Sequence, residues 1–181
     1  MDGELFIIDG FPSSEGPVMI QSSVTTGINQ LCSFTILSAN CSSWGEVSSQ
    51  ELIIPESCSG IWAQIILTCS AQEQGTQYDR FGAVWIGNLE VLRTTTAEPA
   101  RDGITWYVEK DISDYRSCIQ SQSGLNTYIS IPNNVDSTYT GIISATITLT
   151  IYANDLTDVD INEPTIMTLT NATEMELYDL E

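Results

Sequence analysis

In residues 143–153 every second side chain is apolar: Ile143, Ala145, Ile147, Leu149, Ile151 and Ala153 alternate with Ser144, Thr146, Thr148, Thr150 and Tyr152. A strand sends successive side chains to opposite faces, whereas a helix repeats its apolar face every 3.6 residues. The stretch is therefore a long strand with one buried face. Such a face has to be covered by a second layer, which points to packed sheets.

Other segments agree with an all-β fold. Residues 62–69, Trp-Ala-Gln-Ile-Ile-Leu-Thr-Cys, form a nearly continuous apolar run of strand length behind Pro55 and the turn at 57–60, and read as a core strand buried on both faces. Residues 80–86 and 89–93 flank Gly87-Asn88, the composition of a type II′ hairpin turn. Ile104, Trp106 and Val108 alternate with Thr105, Tyr107 and Glu109, and residues 126–131 make another short strand. Residues 98–103, with Pro99 and Gly103, read as a loop, and residues 113–119 as one helical turn capped by Ser113. Several strands with turns between them suggest a two-layer sandwich or jelly roll.

The 181 residues suit one domain with extensions. The expected division is a Ser/Gly-rich leading segment, 1–57, then a sandwich domain, 58–153, then an acidic tail, 154–181. The leading segment holds β-like runs at 18–20 and 32–37 that suit either early strands or an irregular cover. In the tail, residues 165–169 are long enough for an edge strand.

The net charge is −19, and all five basic residues, Arg80, Arg93, Arg101, Lys110 and Arg116, lie in the middle segment. A surface this acidic repels phosphate backbones and offers anionic lipid no basic patch, so neither nucleic acid nor membrane is an expected partner. No run of about 18 apolar residues is present, and the acidic start Met1-Asp2-Gly3-Glu4 does not read as a secretion signal.

Five cysteines, Cys32, Cys41, Cys58, Cys69 and Cys118, show no C-x-x-C spacing and leave at least one thiol unpaired. With no histidine, Ser-His-Asp and Cys-His catalysis and His-ligated metals are unavailable. No glycine-rich phosphate loop appears, and Asp158, Asp160 and Asn162 lack the Gly and closing Glu of a calcium loop, so no cofactor or metal is expected.

Carboxylate chemistry remains, with Asp79, Glu98 and Glu109 in the central stretch and Arg80 beside the first. An ionised carboxylate can accept a proton from water, and a neighbouring guanidinium can stabilise negative charge developing on a carbonyl oxygen. The same Asp-Arg pair at a strand entrance also suits a turn cap or a solvated ion pair.

Gln77-Tyr-Asp-Arg-Phe with Ala83-Val-Trp-Ile, then Leu92-Arg-Thr-Thr-Thr-Ala-Glu-Pro, then Gly103-Ile-Thr-Trp-Tyr-Val-Glu-Lys-Asp, resembles the N-terminal domain of the peptide-N-glycosidase A family. The resemblance runs from about Cys58 to Ala153. It implies an antiparallel jelly-roll-like β-sandwich and hydrolysis of the amide between a glycan and its asparagine. It also implies Asp79 as the group that activates water, with Arg80 beside it; Glu98, from the same central stretch, is a further catalytic candidate on its carboxylate alone. Trp85 and Trp106 become sugar-stacking candidates, N-glycan or glycopeptide the partner, and the secretory pathway or cell exterior the location. Pro132 stands where plant relatives carry Glu. In related bacterial glycosidases a second sandwich domain supplies another carboxylate, so the chain is expected to be an incomplete catalyst that works with such a domain or subunit. The alternative is a non-catalytic sandwich that binds N-glycans or proteins.

Overall fold

A computed structural model describes residues 18–97, 103–121 and 123–154. Glu98, the edge strand expected at 165–169 and the Asp158–Asn162 cluster lie outside the described residues. Among the described residues nine strands form two sheets: β1 (Val18–Ile20), β2 (Ile28–Cys41), β3 (Ser48–Glu51), β4 (Trp62–Gln74), β5 (Phe81–Ile86), β6 (Leu89–Thr95), β7 (Ile104–Asp111), β8 (Asn126–Ser130) and β9 (Ile142–Asn154). The first sheet has the order β1-β7-β4-β9-β2 and the second β3-β8-β5-β6. All pairings are antiparallel except the edge pair β1–β7.

β9 is the alternating strand. Ile143, Ala145, Ile147, Leu149 and Ile151 are buried, while the Ser and Thr residues between them are half-exposed on the outer face. It lies between β2 and β4, one strand in from the β2 edge of the larger sheet. β4 is buried on both faces at Gln64–Leu67 for a reason outside the strand. The Gln64 side chain donates to Ser23 O and Asp111 Oδ2 and accepts from Thr25 N, so the segment before β2 lies over that part of the outer face. Ile65, Leu67, Ile147 and Leu149 meet Val84, Ile86 and Ile129 of the second sheet in one core between the layers.

The hairpin forms as expected. Gly87 takes φ +58° while Asn88 stays at negative φ, which is the type II′ combination rather than type I′. The helical turn differs in its start. A 3-10 turn at Ser113–Tyr115 leads into α1 (Arg116–Ser121), and Ile112 stands at the capping position. Ser113 lies inside the turn, where its hydroxyl donates to Asp111 and accepts from Ile65 N, so it ties the turn to β4 instead of capping it. A disulfide joins Cys32 on β2 to Cys58 just ahead of β4. Cys41, Cys69 and Cys118 are free, and burial pushes the Cys69 thiol up to about 12, so that thiol is unreactive at neutral pH.

Candidate active site

Topology brings two connections together at one end of the sandwich. β4 runs into β5 through residues 75–80, and β8 runs into β9 through residues 131–141; each crosses from one sheet to the other. Because β4 pairs with β9 and β5 with β8, the two crossovers run side by side. Thr140 N and Gly141 N both donate to Thr76 O, at 2.9 and 3.2 Å. Asp79 and Arg80 sit on the first crossover, against the second.

Gln77 is the fixing point. It is buried, its amide donates to Asn134 O (2.9 Å) and Gly141 O (3.3 Å), and its Oε1 accepts from Tyr78 N and from the Arg80 guanidinium (2.7 Å). Asn133, fully buried in the second crossover, donates to Cys41 O and Gly141 O. Thr96 N donates to Arg80 O and Arg80 N donates to the Thr96 hydroxyl, each at 2.8 Å, which holds the backbone beside Asp79. Arg80 lies with its guanidinium carbon 5.4 Å from the centre of the Tyr78 ring.

Asp79 itself is exposed and makes no hydrogen bond among the described residues. The ion pair that composition allowed between Asp79 and Arg80 does not form; the pair found among the described residues is Arg93–Glu90 on the surface. Among the described residues Asp79 is thus an unpaired, exposed carboxylate, next to a guanidinium held in place by an amide. Glu109 accepts from Ser22 N, away from the crossovers. Trp85 is half-buried on β5. Trp106 is 5% exposed in the core and borders a shallow groove of about 390 Å³ on the larger sheet, which neither Asp79 nor Arg80 lines. Among the described residues no three Cys, Asp or Glu side chains gather closely enough to hold a metal ion.

The residue that sequence reasoning missed is Glu73. It is 3% exposed, both carboxyl oxygens lack hydrogen-bond partners among the described residues, and burial pushes its pKa up to about 7 against the opposing pull of the Arg80 charge. Gly141 packs directly on it: a Cβ added there would lie 2.0 Å from Glu73 Oε1. The signal was present in the sequence. The strand read at 62–69 continues to Gln74, and the inward positions Ile65, Leu67, Cys69 and Ala71 lead at spacing two to Glu73.

Tyr139 was also missed as a site residue. Asp136 accepts from Thr138 N and Tyr139 N, which holds its carboxyl below the usual range and shapes the turn. That turn lays Tyr139 against Tyr78 with ring centres 4.9 Å apart, and Tyr139 OH donates to Tyr78 OH at 2.7 Å.

The family model described as peptide N-acetyl-beta-D-glucosaminyl asparaginase amidase A matches residues 17–176. Peptide-N4-(N-acetyl-beta-glucosaminyl)asparagine amidase A of Prunus dulcis is 42% identical over 99 residues, which cover 54% of this chain and 17% of that protein. The match thus spans about a sixth of the relative. Two viral structures, of nora virus and turnip yellow mosaic virus, overlap 90% and 87% of this chain, and 72% and 94% of their own chains. Both are 11% identical with a TM-score of 0.28, a likeness too slight to argue from.

Proposed function

The chain belongs to the peptide N-acetyl-beta-D-glucosaminyl asparaginase amidase A family, and from that membership we propose that it takes part in hydrolysing the amide bond between a glycan and asparagine. The observation that carries the reading is Asp79, a solvent-facing carboxylate beside a fixed Arg80 on a segment within the family match.

Asp79 Oδ takes a proton from water as the water oxygen attacks the asparagine side-chain carbonyl carbon. The C=O electrons move onto oxygen, and the Arg80 guanidinium, held by Gln77, stabilises that charge. As the tetrahedral intermediate collapses, the C–N bond breaks and the proton on Asp79 passes to the leaving nitrogen. The products are aspartate in the peptide and a glycosylamine. The chemistry consumes one water and needs no metal or histidine.

A second carboxylate completes the site from another sandwich domain or subunit, because Glu73 is only 3% exposed and the second crossover offers Pro132 where the family resemblance leads one to expect Glu. On the same geometry a sandwich without that partner would hold glycopeptide without cutting it, which is the second reading. Incubation with a glycopeptide, followed by mass spectrometry for conversion of Asn to Asp, separates them. Conversion that requires an added C-terminal region of a family member, and that Asp79→Asn abolishes, is the expected result. Binding without conversion under either condition would leave the non-catalytic reading standing.

A further inference from the structure

We propose that Tyr78 and Tyr139 together form a platform for the sugar ring that is joined to the asparagine. The proposal rests on the amidase reading above and assigns the part of the substrate that meets these two rings.

Two tyrosines 61 positions apart are brought ring to ring by the paired crossovers, at 4.9 Å and an interplanar angle of 41°. Tyr78 remains 53% exposed although it immediately precedes Asp79, whereas Trp62 and Trp106 are in the core. Its contacts with Tyr139 and Arg80 leave 53% of Tyr78 uncovered next to the Asp79 carboxylate. It offers a flat apolar surface where a substrate held over Asp79 would extend.

The pair is rigid before any ligand arrives. Buried Gln77 anchors the first crossover to the second at Gly141 O, buried Asn133 braces the second crossover internally at Gly141 O and ties it to Cys41 O, the Arg80 guanidinium braces the Tyr78 ring, and Asp136 fixes the turn that carries Tyr139. Little side-chain freedom is lost when a ligand settles on such a surface, which favours binding. The rim is polar: Asn134 donates to Asp136 at 3.2 Å, and both are exposed. An apolar face bordered by neutral hydroxyls, an amide and a carboxylate matches a pyranose, whose C–H face is apolar and whose edge carries hydroxyls. The net charge of −19 disfavours an anionic ligand and leaves a neutral sugar unopposed.

The test measures binding of the 181-residue chain to a peptide carrying N-acetylglucosamine on asparagine, and to the same peptide with unmodified asparagine. Wild type is expected to prefer the glycosylated peptide. Tyr139→Ala should weaken that binding by several-fold to about tenfold, the range for loss of one aromatic contact. Tyr139→Phe, which keeps the ring and loses the hydroxyl bond, should stay within about twofold. Thermal unfolding of each variant separates loss of the platform from loss of the fold, and Tyr78→Ala supplies an independent variant if Tyr139→Ala unfolds. Preference for the glycopeptide that survives both alanine variants overturns the platform and leaves the amidase reading intact. Equal binding of the bare peptide overturns the sugar assignment and gives the rings to polypeptide. Conversion of Asn to Asp, scored separately, reports on the amidase reading alone.

Discussion

Replacing Glu73 by Gln should stabilise the protein, and increasingly so as pH rises. The carboxyl is 3% exposed without hydrogen-bond partners, and its pKa is raised from 4.5 to about 7 by burial. The folded state therefore holds this proton more tightly than the unfolded chain does. The resulting stabilisation is fully present below pH 4.5 and is lost as pH rises through about 7, above which the loss is complete. A displacement from 4.5 to about 7 corresponds to about 3 kcal/mol in the limit. Relaxation around the ionised carboxylate reduces this, so wild type should lose about 2–3 kcal/mol relative to Glu73→Gln between pH 5 and pH 8. Gln keeps the shape and cannot ionise. Urea unfolding of both proteins at pH 5, 6, 7 and 8, followed by Trp fluorescence, measures the difference, in which all other titrating groups cancel. A difference that is the same at every pH would refute the reasoning, because it would mean the carboxyl ionises in the fold as easily as in water.

Three further outcomes are expected. Gly141→Ala would put a methyl group 2.0 Å from Glu73 Oε1, a clash that should cost about 1–3 kcal/mol and lower the melting temperature, and Glu73→Ala in the same chain should recover part of the loss. Removing the Cys32–Cys58 disulfide by a double Ala substitution frees a loop with a sequence separation of 26 and should cost roughly 3 kcal/mol, read as a lower urea midpoint than the oxidised wild type shows. Ile147→Ala, at a fully buried position of β9, should cost about 2–5 kcal/mol, whereas Thr148→Ala on the outer face should stay within about 0.5 kcal/mol; equal costs would mean the strand's inner and outer faces have been confused.

Much of the fold was legible because it depends on local periodicity. The inward set of β9 and the hairpin around Gly87 each follow from a few adjacent residues, since a strand's faces and a two-residue turn are decided within the segment itself. The Ser113 cap was misread because the same hydroxyl had a competing partner, Ile65 N, which lies 48 residues away. The pairing of Cys32 with Cys58 and the parallel contact of β1 with β7 were out of reach for a similar reason: periodicity says which face a residue occupies, not which strand lies beside it.

The candidate site divides along the same line. By itself the sequence determined an acidic two-layer β protein without histidine, and singled out Asp79 and Arg80 through the residues around them. Only the tertiary structure decided that Gln77, and not Asp79, holds Arg80, that Glu73 is sealed from water behind Gly141, and that Tyr139 meets Tyr78. Those contacts depend on two sheet crossovers running side by side, and that depends on β4 choosing β9 while β5 chooses β8. Strand choice is a property of the whole packed chain, so no segment read alone carries it.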